Sequence, residues 1–226
     1  MCGRFSLTKT EVEINQRFHV SGGAAPYIPR FNAAPGQKLV VITNQTPEKI
    51  SPMKWGFVPF WAKDPAIGNK MINAKSETAQ QKPSFREAFK KRRCLVISDG
   101  FFEWKKQGKE KIPHYIFPEN HALFAMAGLW EPWKDNSGES LHTFTILTTS
   151  PNNTMKNLHD RMPVILPENE EENWLHNPSA EEVGKLLVPY AGKLELYPVS
   201  KEVNSPRNDT EAVIKPLSGY SPTLFD

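Results

Sequence analysis

The sequence is poor in the features that mark specialised scaffolds. Its 226 residues hold only two cysteines, Cys2 and Cys94. That is too few for a disulfide framework and, by themselves, for a structural zinc site. No group of ligand-type residues stands at metal spacing, so neither a metal nor another cofactor is expected. No apolar run is long enough to cross a bilayer, so no membrane span is expected. Residues 1–30 show no apolar h-region and no small-residue cleavage site, which makes the cytoplasm the expected location. There is no internal repeat, no low-complexity linker and no break in composition, so one domain spanning 1–226 and a monomer are expected.

What is present suits a packed domain. Hydrophobic residues are 38%, aromatics 11% and charged residues 23%. The net charge of +3 conceals an asymmetry. Residues 1–112 carry 20 Lys+Arg against 9 Asp+Glu, and residues 113–226 carry 8 against 16. A basic half fits a polyanion-binding face; two halves interleaved in one fold would scatter the same charges.

Twenty prolines and thirteen glycines punctuate short segments rich in Val, Ile, Phe, Trp and Thr. Strands are predicted at 3–7, 38–43, 53–57, 94–98 running on to 101–105, 114–117, 123–130, 143–149, 163–166 and 194–199. Helices are predicted after Thr8-Lys9-Thr10-Glu11, read as a capping box with a Leu7–Val12 staple, and after Ser84-Phe85-Arg86-Glu87. The second ends in the basic run Lys90-Lys91-Arg92-Arg93, read as a solvated helix end. Two more helices are expected, at 168–176 and after Ser179. Residues 200–226 read as an irregular surface tail with a mobile end.

The chemistry begins at Cys2. A small residue after an initiator Met1 permits removal of that methionine, which leaves Cys2 with a free α-amine beside its thiol. Their reference pKa values are about 7.7–8.0 and about 8.5, so both have a reactive fraction near neutral pH. A 1,2-aminothiol condenses with an aldehyde to an imine and then closes a thiazolidine ring, a step favoured because it is intramolecular.

Met1-Cys2-Gly3-Arg4 has companions. They are Ile72-Asn73-Ala74-Lys75-Ser76-Glu77-Thr78, the run from Arg93 through Ser98-Asp99-Gly100-Phe101-Phe102-Glu103-Trp104, and His159-Asp160-Arg161-Met162-Pro163. Trp55-Gly56, Ala127-Gly128-Leu129-Trp130, Phe144-Thr145-Ile146-Leu147-Thr148-Thr149 and Val203-Asn204 extend the pattern. Together, from Cys2 to about Asp209, the chain closely resembles the SOS response-associated peptidase (SRAP) family of abasic-site processing proteins.

The resemblance implies an α+β fold, a single domain with a mostly antiparallel, barrel-like β core flanked by a few helices. It also implies a covalent crosslink from Cys2 to abasic sites in single-stranded DNA, the partner expected here. The location would then be cytoplasmic, with the nucleoid reached through DNA. Asn73 matches the family's sensing asparagine, and Glu103 a catalytic carboxylate. In its apolar strand, burial would raise the pKa of Glu103 and fit it to move protons. His159, the histidine inside a motif, is the candidate general acid for opening the sugar and for the reverse reaction. Arg4, Lys75 and Arg161 are candidate phosphate contacts. Lys75 stands where the family more usually has arginine, and it keeps the charge without the bidentate fork. Trp61 and Trp104 are candidates for base stacking, with core packing as the alternative. Gly3 would allow backbone to approach DNA closely. Cys94, followed by the apolar Leu95 and Val96, reads as a small buried hydrophobe.

Three rivals remain at this point. Class II glutamine amidotransferases also begin with a processed Cys-Gly, but the Gly-His-Asn-Gly run of those domains is absent. A non-covalent single-strand-binding module would use the basic half and leave Cys2 idle. A peptidase would act on other proteins, or on Met1 alone, with removal of Met1 by the chain itself or by an aminopeptidase.

Overall fold

The computed structural model describes residues 2–22, 27–135 and 137–217. Met1 and the expected mobile end at 218–226 lie outside them. Thirteen strands are present: β1 Phe5–Leu7, β2 Arg30–Ala33, β3 Lys38–Thr43, β4 Thr46–Trp55, β5 Asn73–Lys75, β6 Arg93–Ser98, β7 Gly100–Gln107, β8 Glu110–Pro118, β9 Phe124–Lys134, β10 Ser140–Thr149, β11 Met162–Pro163, β12 Ile165–Leu166 and β13 Leu194–Pro198. The helices are α1 Glu11–Phe18, α2 Ser76–Ala79, α3 Arg86–Lys91, α4 Glu171–His176 and α5 Ala180–Gly184.

Strands β10, β4, β3, β6 and β9 close on themselves, because β9 also pairs with β10. Five strands cannot alternate direction all the way round a ring, so one neighbouring pair must be parallel. That pair is β4–β10, where Thr143 meets Lys54 and Phe144 meets Trp55. Alternation along the strands separates two faces. Val41, Trp55, Cys94, Val96, Met126, Phe144 and Ile146 fill the inside. Ile42, Leu95, Ile97, Ala127 and Leu129 face outward, where Ile14 of α1, Phe89 of α3 and Trp174 of α4 cover them. The structure is thus the α+β, barrel-centred fold expected. The basic and acidic halves interleave in it, since β3, β4 and β6 share the ring with β9 and β10.

A second sheet, ordered β13-β8-β7-β1-β2, lies against this barrel. Its Phe5, Phe101 and Ile116 join the barrel's apolar interior. The opposite face, with Phe102, Tyr115 and Phe117, packs on Val199, Val203 and Val213. Gly100 permits the sheet's tight packing, since a Cβ there would lie 2.2 Å from the Tyr115 hydroxyl.

Several expectations are corrected. The helix box is Thr10 with Glu13, not Thr8 with Glu11: Glu13 N–H donates to Thr10 Oγ1 and Thr10 N–H to Glu13 Oε2. Thr8 instead donates twice to the buried Asp99. Val12 is 63% exposed and staples nothing, while Ile14 packs with Leu7. Phe85 precedes α3 with no side-chain cap, so the Ser84 box does not form. Arg93 is no solvated helix end. It opens β6, is 2% exposed, and its guanidinium donates to carbonyls of Phe89 and Lys90 in α3, of Trp174 and Leu175 in α4, and of Asn177 just past α4. One buried cation thereby satisfies carbonyls at two helix C-termini. Strand 163–166 divides into β11 and β12, which pair with β10 and β9 respectively.

The expected surface tail is irregular but pinned. Asp209 accepts from Phe31 N–H, Asn32 N–H and Arg30, and the buried Asn32 amide donates to carbonyls of Val203, Ser205 and Asn208. This staples residues 200–217 over β2 and the second sheet.

Candidate active site

The site forms where the chain's start enters the seam between the two sheets. β1 pairs with β7 and β2, and Phe5 is buried in the barrel cluster, so Cys2 is drawn in just ahead of it. Cys2 is 0% exposed. Its Sγ lies 3.7 Å from the Arg4 carbonyl oxygen. Burial, and then the charge of Glu103, push the thiol well above its ordinary range. An exposed-thiol reference value therefore does not describe this group, and the expectation of a ready thiolate fraction is corrected.

Asn73 Nδ2 donates to the Cys2 carbonyl at 2.8 Å. Asn73 is held by β5, which runs parallel to β10 with Asn73 opposite Ile146. The Trp55 indole braces the preceding residue by donating to Ile72 O at 2.9 Å. Gly56, at φ +134°, makes this corner possible: a Cβ there would sit 2.8 Å from Gly68 O.

Glu103 follows Phe101 by two residues in β7 and so shares its barrel-facing side. It is 2% exposed. Burial raises its pKa, while the chain's amino-terminal charge and His159 pull the other way. His159 Nε2 lies 3.9 Å from Glu103 Oε2. The other ring nitrogen, Nδ1, has two suitors. The Arg161 backbone N–H donates to it at 3.0 Å, and the exposed Asp160 carboxylate lies 2.8 Å away. The first needs the Nδ1 lone pair and places the ring proton on Nε2, toward Glu103. The second needs a proton on Nδ1, which the ring has when it becomes imidazolium.

The candidate cations are placed unequally. Arg4 donates to Gly3 O at 3.0 Å and to Asn204 O at 3.3 Å, and stays half-buried at the rim. Lys75 is exposed at the end of β5. The Arg161 guanidinium is engaged as a fork by Glu77, at 2.6 and 2.9 Å, and by Thr148 O. Trp104 is half-buried, and its indole N–H donates to Asn204 Oδ1 at 2.8 Å, so Arg4 and Trp104 meet at one residue. Trp61 is 49% exposed in the loop after β4, which Trp133 anchors through Ala62 O, and no hydrogen bond ties Trp61 to Cys2. Cys94 is buried inside the barrel, as expected.

Glu77 and Asn204 stand in motifs of the sequence, but their contacts, with Arg161 and with Arg4 and Trp104, are made with residues far away in the chain. Glu77 shares a motif with Lys75, and an acid beside a cation suggests the nearer partner rather than the distant Arg161. Asn204 carries no signal beyond its motif. Among the described residues no cluster of His, Cys, Asp and Glu is arranged to hold a metal ion.

Known proteins resemble this chain in sequence and fold. The chain is 43% identical to the abasic site processing protein YoaM of Bacillus subtilis (strain 168), over 95% of this chain and 97% of that protein. It is 32% identical to the abasic site processing protein HMCES of Xenopus tropicalis, over 84% of this chain and 66% of that protein. A crystal structure of a Bacteroides thetaiotaomicron protein superposes with a TM-score of 0.87 at 30% identity, covering 95% of this chain and 99% of that one. Residues 1–206 match the family described as "SOS response associated peptidase (SRAP)". The chain belongs to the SOS response associated peptidase family.

Proposed function

We propose that this protein processes abasic sites in single-stranded DNA by trapping them covalently on Cys2. The relatives' names supply the kind of lesion, and the site supplies a chemical route. The observation that carries the reading is the 2.8 Å hydrogen bond from Asn73 to the Cys2 carbonyl. It fixes the Cys2–Gly3 peptide group, with Glu103 close enough to act on the Cys2 thiol and His159 beside Glu103, where an amine freed by hydrolysis of the Met1–Cys2 bond would emerge. That hydrolysis is the peptidase step of this reading.

An abasic deoxyribose opens to an aldehyde at C1′, with His159 protonating the ring oxygen. The Cys2 amine adds to C1′ and water leaves, giving an imine. Sγ then bonds to the imine carbon, the thiol proton is transferred and the nitrogen ends protonated as a neutral ring amine. A thiazolidine has formed, with no oxidant or reductant consumed. Closure removes the imine before β-elimination can break the strand.

The raised thiol pKa orders these steps: the amine reacts first, and the thiol adds once a base is at hand. Glu103, kept protonated to higher pH than an ordinary carboxyl, donates as water departs, and its conjugate base then takes the thiol proton. Reversal uses the same groups backwards, with His159 as acid. Arg4, Lys75 and Arg161 serve phosphates, and Trp61 and Trp104 serve bases. The protein acts as a monomer in the cytoplasm.

Mass spectrometry of the intact protein, with and without an abasic single-stranded oligonucleotide, tests both halves. The expected result is loss of Met1 and an adduct equal to protein plus oligonucleotide less water. An adduct on a chain that keeps Met1, or a processed chain that forms none, overturns the proposal.

A further inference from the structure

We infer that the β7–β8 hairpin is a cationic arm that grips the phosphate backbone of the nucleic acid flanking the site. This rests on the DNA reading above and adds a second contact region to it. The two strands continue past Glu103 and Trp104 as a ribbon, pairing Lys105 with Ile112, Lys106 with Lys111 and Gln107 with Glu110. A two-residue turn closes it, with Gly108 at φ +60°. Lys105, Lys106, Lys109 and Lys111 are all exposed.

Lys106 and Lys111 face each other directly across the ladder, an arrangement that destabilises a strand pair. Among the described residues none of these four lysines makes an ion pair, and the ribbon's own carboxylate, Glu110, lies 3.5 Å from Lys201. Lysine on an exposed ribbon guards against edge-to-edge pairing. That purpose does not call for two lysines face to face.

The position supplies the other half of the argument. Alternation puts Lys106 and Lys111 on the same side of the ribbon as Trp104, with residues two apart spaced by about 7 Å. Trp104 and Arg4 both hydrogen-bond Asn204. A line therefore runs from the arginine beside Cys2, through an indole, to a pair of unneutralised cations. Cations interleaved with an aromatic are the elements of a groove that tracks a nucleic-acid strand.

Equilibrium binding to undamaged DNA over a salt series tests this, since DNA without an aldehyde reads contact independently of the covalent step. Two probes separate the sources of phosphate: an unpaired oligonucleotide and a single-strand/duplex junction. The double variant Lys106→Gln, Lys111→Gln is expected to bind about tenfold more weakly at moderate salt. Its slope of log affinity against log salt should fall by about 1.4 where the arm holds a single strand, or by about 1.8 where it holds duplex. Lys106→Glu should bind more weakly still yet melt at a higher temperature, because Lys111 gains an opposite charge. That pairing of signs is not produced by misfolding. Wild-type affinity and slope in both variants on both probes would overturn the arm and leave the DNA reading standing. Failure of the wild type to bind either probe would likewise overturn the arm, while the adduct measured by mass spectrometry decides the covalent reading by itself.

Discussion

Cys2 and Cys94 share one apolar cluster, and both are fully buried. Burial pushes both thiols up. Their surroundings differ. Cys94 is the second residue of β6, with Sγ 2.8 Å from where a Cβ on Gly128 would be. Around it are Val96 and other apolar groups. Cys2 stands at the end of the chain, with Asn73 on its carbonyl and the charge of Glu103 acting on its thiol. Burial therefore does not distinguish the two thiols. Their polar neighbourhoods do: in the proposed reaction, the titratable surroundings of Cys2 and an amine freed beside it would set it apart from Cys94.

The sharpest way to break this contrast is to remove each sulfur in turn. Cys2→Ala should abolish the denaturation-resistant adduct with abasic single-stranded DNA. Cys94→Ala should retain it while losing about 1–2 kcal/mol of stability, read by urea unfolding, because a packed interior is left with a small void.

Glu103→Gln comes next. It should slow adduct formation about 10²- to 10⁴-fold, the usual worth of a positioned acid–base group. Its stability effect has the opposite sign. A carboxyl whose pKa is raised on folding favours the folded state below its unfolded pKa and loses that contribution as pH rises through the folded value. The glutamine variant should thus melt higher than wild type at neutral pH, with the gain shrinking as pH falls through the carboxylate range. In the wild type, the adduct-forming rate should fall as pH climbs through the raised pKa of Glu103, and this limb should vanish in the variant.

His159→Asn should slow both adduct formation and its reversal by about 10²-fold, measured by quench-flow and by transfer to excess competitor DNA. Smallest is Asn73→Ala. Loss of one hydrogen bond, worth about 0.5–1.5 kcal/mol, should slow the reaction up to about tenfold. An equal slowing in a Cys94→Ala control would mean that the Cys2 neighbourhood is nothing special.

The legibility of the elements follows their chemistry. β3 was readable to the residue because Leu39 to Thr43 is an apolar run ending in β-branched residues, and β6, β9 and β10 likewise carry strong apolar patterns. β4 begins seven residues earlier than the apolar signal, at Thr46, since Pro47, Glu48, Lys49 and Pro52 read as loop. They are tolerated there because β10 pairs only with the last two residues, Lys54 and Trp55, and along the rest of that edge the contact is a single bridge from Ser21 to Lys49, which uses neither proline. β2 and β5 are too short and polar to announce themselves; β2 pairs with β1 and gives two of its N–H groups to Asp209, and β5 pairs with β10. Thr8 has the cap's residue type, but Asp99, 91 residues away in sequence, takes both its backbone N–H and its hydroxyl.

Of the site, the sequence by itself determined the proposed reagents: the Cys2 thiol beside the amine that removal of Met1 would free, an amide, a carboxyl in an apolar strand and a histidine, each legible as a residue type in a local motif. Tertiary structure decided everything that depends on distance. It raised the Cys2 thiol through burial, turned the Arg161 guanidinium toward Glu77, and brought Arg4 and Trp104 to Asn204. These outcomes rest on solvent exclusion and on contacts between residues far apart in the chain. Neither is encoded in any single stretch of it, because both arise only when the barrel closes and the second sheet settles over the entering N-terminus.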